Sequence, residues 1–141
     1  MTGSPTFKKV AHIGIAVHDL DAALKIWRDQ LGAEVSEVCT MSDRGLKIAF
    51  IPVGESLIEL IAPLRDDSEV SRFLEKKGPG VHHICLAVDD IQARLDLYRS
   101  RGLQLVNDKP SIGAEGYPVA FMHPRATGGV LLELLEERSE G

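Results

Sequence analysis

Two stretches decide the fold: HIGIAVHDLDAALKIWR at residues 12–28 and HICLAVDDIQARLDLYR at residues 83–99. They align without a gap at an offset of 71, and eight of the seventeen positions are identical: His12/His83, Ile13/Ile84, Ala16/Ala87, Val17/Val88, Asp19/Asp90, Ala22/Ala93, Leu24/Leu95 and Arg28/Arg99. Chance similarity between amphipathic segments matches apolar positions. It does not ordinarily match a leading His and a following Asp as well. The chain is read as a tandem duplication, a pattern to be sought before any other.

Each copy reads the same way. A strand comes first, Val10–Val17 and then His82–Val88. Asp19 or Asp90 stands where a helix needs its N-cap. An amphipathic helix follows, with Leu20, Leu24, Trp27 and Leu31 on one face of a 3.6-residue period, repeated by Ile91, Leu95 and Tyr98. Gly32 and Gly102 stop the two helices. Strands are expected over Ala33–Met41, Leu46–Val53 and Ser56–Ala62, with Gly54-Glu55 as a tight turn. In the second copy they are expected over Gln104–Asp108, Pro118–His123 and Val130–Leu135. Each half is βαβββ, over about residues 8–64 and 80–136, joined by a short helical linker at about 66–78 in which Val70, Phe73 and Leu74 face inward. The halves are too small to cover both sheet faces alone, so the expectation is one α+β domain across 1–141.

Bulk properties narrow the function classes. The chain has 141 residues, is 44% hydrophobic and 26% charged, and carries a net charge of −5. A chain of this size can bury a core without covalent staples. An acidic balance argues against general nucleic-acid or anionic-membrane binding. The two cysteines, Cys39 and Cys85, are no disulfide framework and fit a reducing compartment. No signal peptide or membrane-length apolar run is read, so the expected location is the cytoplasm, or the mitochondrial matrix for a processed form.

Strand alternation places Ile13, Ile15 and Val17 toward the helix and His12, Gly14 and Ala16 on the opposite face. In the repeat, Ile84, Leu86 and Val88 face the helix, and His83, Cys85 and Ala87 face away. Each His therefore heads a face otherwise made of small residues. The last strands match as well: LIELI at 57–61 and LLELL at 131–135 each carry one central Glu, Glu59 and Glu133. A buried carboxylate is normally paired or bound to a metal. A single His at a strand start is more often structural, and a single Glu in an apolar strand can lie on a solvent face. Two matched His-and-Glu pairs shift the reading to one shared site. Two imidazoles and two carboxylates suit a borderline divalent ion such as Co, Ni, Mn, Fe or Zn, with two octahedral positions left over. The other candidates are assigned ordinary roles: His82 structural, His18 exposed, His123 in a turn before Pro124, Cys85 lining a cavity, and Lys8-Lys9 and Lys76-Lys77 solvated.

Paired βαβββ modules with one His and one acidic residue each resemble the vicinal oxygen chelate (glyoxalase) superfamily over about residues 8–136. Longer stretches are similar to the methylmalonyl-CoA epimerase family: HIGIAVHDLDAAL, IELIAPLRDDSEVSRFLEKKGPGVHHICLAVDDI and KPSIGAEGYPVAFMHPRATGGVLLELLE. That resemblance implies a metal set of His12, Glu59, His83 and Glu133, with one divalent ion per subunit. Co2+ is the first choice, with Mn2+, Ni2+, Zn2+ or Mg2+ as alternatives. It also implies a small CoA-thioester substrate, a homodimer, and R/S interconversion at C2 of methylmalonyl-CoA through a metal-stabilised enolate. Glu133 and Glu59 are the implied acid/base pair. Some members place a Glu, assigned as one of two bases, at the position aligned to Ile48; Ile cannot transfer a proton, and Glu59 is the obvious substitute. Glyoxalase I, with the same donor types, is the alternative activity, and a metal-free binding module is the third. Lys109, Arg125, Arg44, Lys47 and Arg65 are the cations available for CoA phosphates, and Gly113-Ala114-Glu115-Gly116 is a loop that could cover the thioester.

Overall fold

A computed structural model describes residues 6–137 of the chain. Part of the N-terminal stretch read for a leader lies outside the described residues. The chain divides into two compact units, His12–His82 and the segment up to Ala11 together with His83 onward. Both borders fall inside strands. The linker helix belongs to the first unit, so these units do not coincide with the sequence halves.

The first unit contains most of β1 (Lys9–Ala16), then α1 (Leu20–Leu24), a π-helical continuation over Lys25–Gln30, β2 (Glu37–Met41), β3 (Leu46–Val53), β4 (Ser56–Pro63) and α2 (Glu69–Lys77). Its strands lie in the order β2-β3-β4-β1. β1 runs parallel to β4, with Gly14 level with Glu59, and β2-β3-β4 is an antiparallel meander. The second unit holds most of β5 (Gly80–Val88), then α3 (Ile91–Ser100), β6 (Ser111–Ile112), β7 (Pro118–Met122), α4 (Pro124–Thr127) and β8 (Leu132–Glu136). Its order is β6-β7-β8-β5, with β5 parallel to β8 and Cys85 level with Glu133. The two modules share strand order, strand sense and the level of their Glu, as the duplication requires.

The helices start as the sequence dictates. Asp19 accepts the Ala22 N–H at 3.2 Å and Asp90 accepts the Ala93 N–H at 3.1 Å, each satisfying a donor the first turn would orphan. Leu20, Ala23 and Leu24 pack on Ala49, Ile51 and Leu60, while Ile91 and Leu95 pack on Val88, Ala120 and Leu134. The expected stripe fails at its end. After Leu24 the first helix winds as a π-helix, and Leu31 N–H reaches back to Ile26, five residues away. The wider turn shifts the phase, so Trp27 still meets the core but Leu31 is 65% exposed.

Three strands differ from the sequence reading. Ala33 and Val35 pack on the α1 cluster instead of extending β2. The strand expected over Gln104–Asp108 shrinks to one bridge, Leu105 to Met122, because the Asn107 side chain accepts the Phe121 N–H at 2.8 Å in place of a ladder carbonyl. Val130 sits in a turn closed by the Thr127 hydroxyl, which accepts its N–H at 3.0 Å, so β8 begins at Leu132. Gly54 has φ 59 and Glu55 is not in the left-handed region, the pattern of a type II′ hairpin turn. Arg94, which the sequence reading passed over, is buried in α3. It donates to the Thr6 carbonyl at 3.2 Å and lies 5.1 Å from the Phe7 ring centroid, fixing the approach to β1.

The π winding separates two leucines that a plain helical period treats alike. Leu24→Ala is expected to destabilise the protein by about 2–5 kcal/mol, and Leu31→Ser to stay within about 0.5 kcal/mol. Urea titrations of both variants measure this. Equal losses would show that the regular helical face extends to Leu31.

Candidate functional site

In the first unit, β1 delivers His12 and β4 delivers Glu59 to the same face. His12 Nδ1 lies 3.1 Å from Glu59 Oε2, and both residues are 3% exposed. Gly14, level with Glu59, has no side chain, which leaves the carboxylate room to reach back to His12. Across the ladder, Phe50 pairs with Glu59 and Ile48 with Ile61, so Ile48 shares the site face and is itself buried.

The second unit repeats this with β5 and β8. His83 Nε2 lies 2.9 Å from Glu133 Oε1, and both residues are 5% exposed. Phe121 on β7 pairs with Glu133 and meets the His83 ring edge-on, centroids 5.7 Å apart. Each buried carboxylate thus has an imidazole beside it and a phenyl ring opposite. The copies differ in the nitrogen presented, Nδ1 from His12 and Nε2 from His83.

Each pair has the spacing of two donors on one ion. Donors about 2.1 Å from a common divalent ion and at right angles are about 3 Å apart. The separations of 3.1 and 2.9 Å fit neighbouring positions of an octahedral shell, and neutral imidazole with carboxylate is the right donor chemistry. Each pair therefore fits a divalent ion on geometry and on donor type.

The remaining histidines take the ordinary roles read for them, but Lys8 and Lys9, expected to be solvated, are ion-paired, Lys8 with Asp89 at 3.0 Å and Lys9 with Glu137 at 3.3 Å. His18 is exposed after β1. His82 stands edge-on to Phe73 at 4.9 Å. His123 caps α4 by accepting the Arg125 N–H on Nδ1 at 3.0 Å. Cys85 is fully buried with Ala11, Ala87, Val119 and Leu135. Of the cations proposed for CoA phosphates, Arg44 is bound to Glu69 at 2.6 Å, and Arg65 to Asp67 at 2.7 Å and the Ser42 carbonyl at 2.9 Å. These two brace the turn after β2. Lys109 and Arg125 are exposed. The Gly113–Gly116 loop closes on itself, with Gly116 N–H to the Gly113 carbonyl at 3.0 Å; a Cβ on Gly113 would stand 3.0 Å from the Val119 methyls. The sequence reading missed Phe50 and Phe121. The signal was present, since Ala49-Phe50 and Ala120-Phe121 repeat at the same offset of 71 as the histidines.

Residues 11–121 match the family model of the Glyoxalase/Bleomycin resistance protein/Dioxygenase superfamily. The chain is 41% identical over 134 residues to the mitochondrial methylmalonyl-CoA epimerase of Mus musculus, an alignment covering 93% of this chain and 75% of the relative. It is 41% identical over 128 residues to the ethylmalonyl-CoA/methylmalonyl-CoA epimerase of Cereibacter sphaeroides, covering 89% and 96%. A methylmalonyl-CoA epimerase solved in complex with methylmalonyl-CoA and NH4+ superposes with a TM-score of 0.88 at 35% identity, covering 94% of this chain and 96% of that one.

Cys39 reports on the charge of Glu59. Burial, and then the negative charges of Glu37 and Glu59, hold its thiol above the ordinary range, because each disfavours the thiolate. Glu59→Gln removes one of those charges and should lower the Cys39 pKa. The rate of iodoacetamide alkylation against pH measures it, with Cys85 shielded by complete burial. An unmoved midpoint would show that the Glu59 charge does not reach this face.

Proposed function

This chain belongs to the methylmalonyl-CoA epimerase branch of the glyoxalase superfamily, and we propose that it interconverts the R and S epimers of methylmalonyl-CoA. The observation that carries the reading is the duplicated, buried His–Glu pair on a chain this close to named epimerases. In this reading His12, Glu59, His83 and Glu133 would together hold one divalent ion, Co2+ first among the candidates. When bound, the ion supplies Lewis-acid stabilisation of the oxygen that becomes negative as C2 loses its proton.

The chain's own residues carry the proton. One carboxylate, Glu133 or Glu59, takes the C2 proton from one face; the C–H electron pair moves into the thioester as an enolate. The other glutamate, held as the protonated acid, delivers its proton to the opposite face and is left ionised, and the enolate collapses to the inverted thioester. Positioned proton transfer contributes roughly 10²–10⁴-fold. His12 and His83 hold the two carboxylates at fixed distance. Ile48 and Phe50 beside Glu59, and Phe121 beside Glu133, are apolar surfaces that keep water from competing as a proton source. With Ile48 unable to act as a base, Glu59 takes the second face.

Deuterium exchange at C2 of each epimer tests this, with the methylglyoxal–glutathione adduct as a parallel substrate for the glyoxalase I alternative. His83→Ala should fold but lose the ion and activity together. Glu59→Gln should keep the ion through its amide oxygen. It should lose epimerisation yet retain C2 exchange from one epimer, with Glu133→Gln showing the mirror preference. Near-normal epimerisation by Glu59→Gln would reduce Glu59 to a ligand.

No helix among the described residues is long and apolar enough to cross a membrane. We assign the chain to the cytoplasm, with the mitochondrial matrix as the second compartment. Edge strands β2 and β6 expose Val38 and Ile112, and such edges are normally covered, which supports a homodimer. Sedimentation at micromolar concentration should give twice the chain mass; a monomer there would remove that assignment.

A further inference from the structure

We propose that His123 donates a hydrogen bond from its Nε2–H to a negatively charged oxygen of the bound acyl group. The proposal rests on the epimerase reading above and adds a substrate contact to it. Along β7, Ala120 joins the α3 cluster while Val119 packs with Cys85 and Leu135, so the faces alternate. Phe121 falls on the Val119 face, opposite Glu133 and edge-on to His83. His123 follows two residues later with extended backbone, φ −66 and ψ 142. Alternation therefore sends its ring to the face that carries Glu133 and His83.

Register gives its height. Ile84, Leu132 and Met122 form one row across β5, β8 and β7. His83 precedes Ile84 and His123 follows Met122 on an antiparallel strand, so both histidines stand at the same end of that row. Two strand spacings put their backbones about 10 Å apart. β8, which carries Glu133, lies between them.

The hydrogen bonding fixes what His123 can offer. Nδ1 accepts the Arg125 N–H at 3.0 Å, so the ring proton sits on Nε2. Pro124, at the first position of α4, stiffens the chain beside it. The result is a single N–H donor of fixed tautomer. An ionised Glu133 and the Phe121 ring can give an anionic oxygen no donor. The substrate brings two such oxygens, on its carboxylate and on the thioester once C2 is deprotonated.

Two variants separate this role from simple capping. In His123→Asn the amide oxygen stands near the Nδ1 position and can still cap α4, but nothing replaces Nε2–H. In His123→Gln the amide nitrogen reaches toward the Nε2 position, and the cap is lost. The expected result is an Asn variant with an unchanged melting midpoint and kcat/KM lowered about 10- to 100-fold. The Gln variant should melt earlier yet keep most of its kcat/KM. An Asn variant with full kcat/KM overturns the proposal, as does activity that merely follows stability in both variants. The wild-type enzyme in the same C2-exchange assay keeps the two readings apart. If it fails to exchange, the epimerase assignment falls; if it exchanges and the Asn variant matches it, only the role of His123 falls.

Discussion

A carboxyl group inside an apolar strand carries a desolvation cost that only a close partner can offset, and this chain accepts that cost twice. Glu59 and Glu133 each sit at the centre of a strand of leucines and isoleucines, with an imidazole nitrogen about 3 Å away. Much of the local structure follows from satisfying them. The strand bearing the His must lie parallel and adjacent to the strand bearing the Glu. The residue level with the Glu must be small, which Gly14 and Cys85 are. The position opposite is aromatic in both copies, Phe50 and Phe121. A sheet optimised for stability alone would carry aliphatic side chains at all of these positions.

The duplication explains how such an arrangement is specified by few residues. One βαβββ pattern, written twice, sets the strand order, the parallel first-to-last pairing and the level of each Glu. The copies are not chemically identical. One imidazole presents Nδ1 and the other Nε2, and the residue two before the phenylalanine is Ile48 in the first copy and the smaller Val119 in the second. A reaction that must treat opposite faces of one carbon needs two groups that are related but separately tunable, and divergence between copies supplies them.

The sequence reading succeeded where a signal is repeated or strictly periodic. Both N-caps, the Gly54 hairpin, the bounds of β3 and the burial of His12, Glu59, His83 and Glu133 follow from alternation, capping chemistry and the duplicated strand pattern. It failed where a side chain replaces a backbone partner. Asn107 and Thr127 satisfy amides that strand propensity assigns to a ladder, and no window of hydrophobicity registers that substitution. The cation guesses weakened for a similar reason: Arg44 and Arg65 are bound to acids and carbonyls brought close by a turn whose geometry is not periodic. Arg94 reads as one more surface charge until the fold lays Phe7 and Tyr98 against it.

The π-helical stretch over Lys25–Gln30 coincides with a difference in length between the copies. They run 71 residues apart from His12/His83 through Arg28/Arg99, but their helix-terminating glycines, Gly32 and Gly102, are 70 apart. The first copy spends one residue more than the second between its last matched arginine and its glycine. A longer straight helix would have displaced its end by about 1.5 Å and rotated it by a quarter turn or so. The wider winding instead absorbs the surplus residue as girth. The extra residue is thereby taken up at the end of the helix, where Leu31 turns out to solvent, and the packed face carried by Leu20, Ala23 and Leu24 keeps its place.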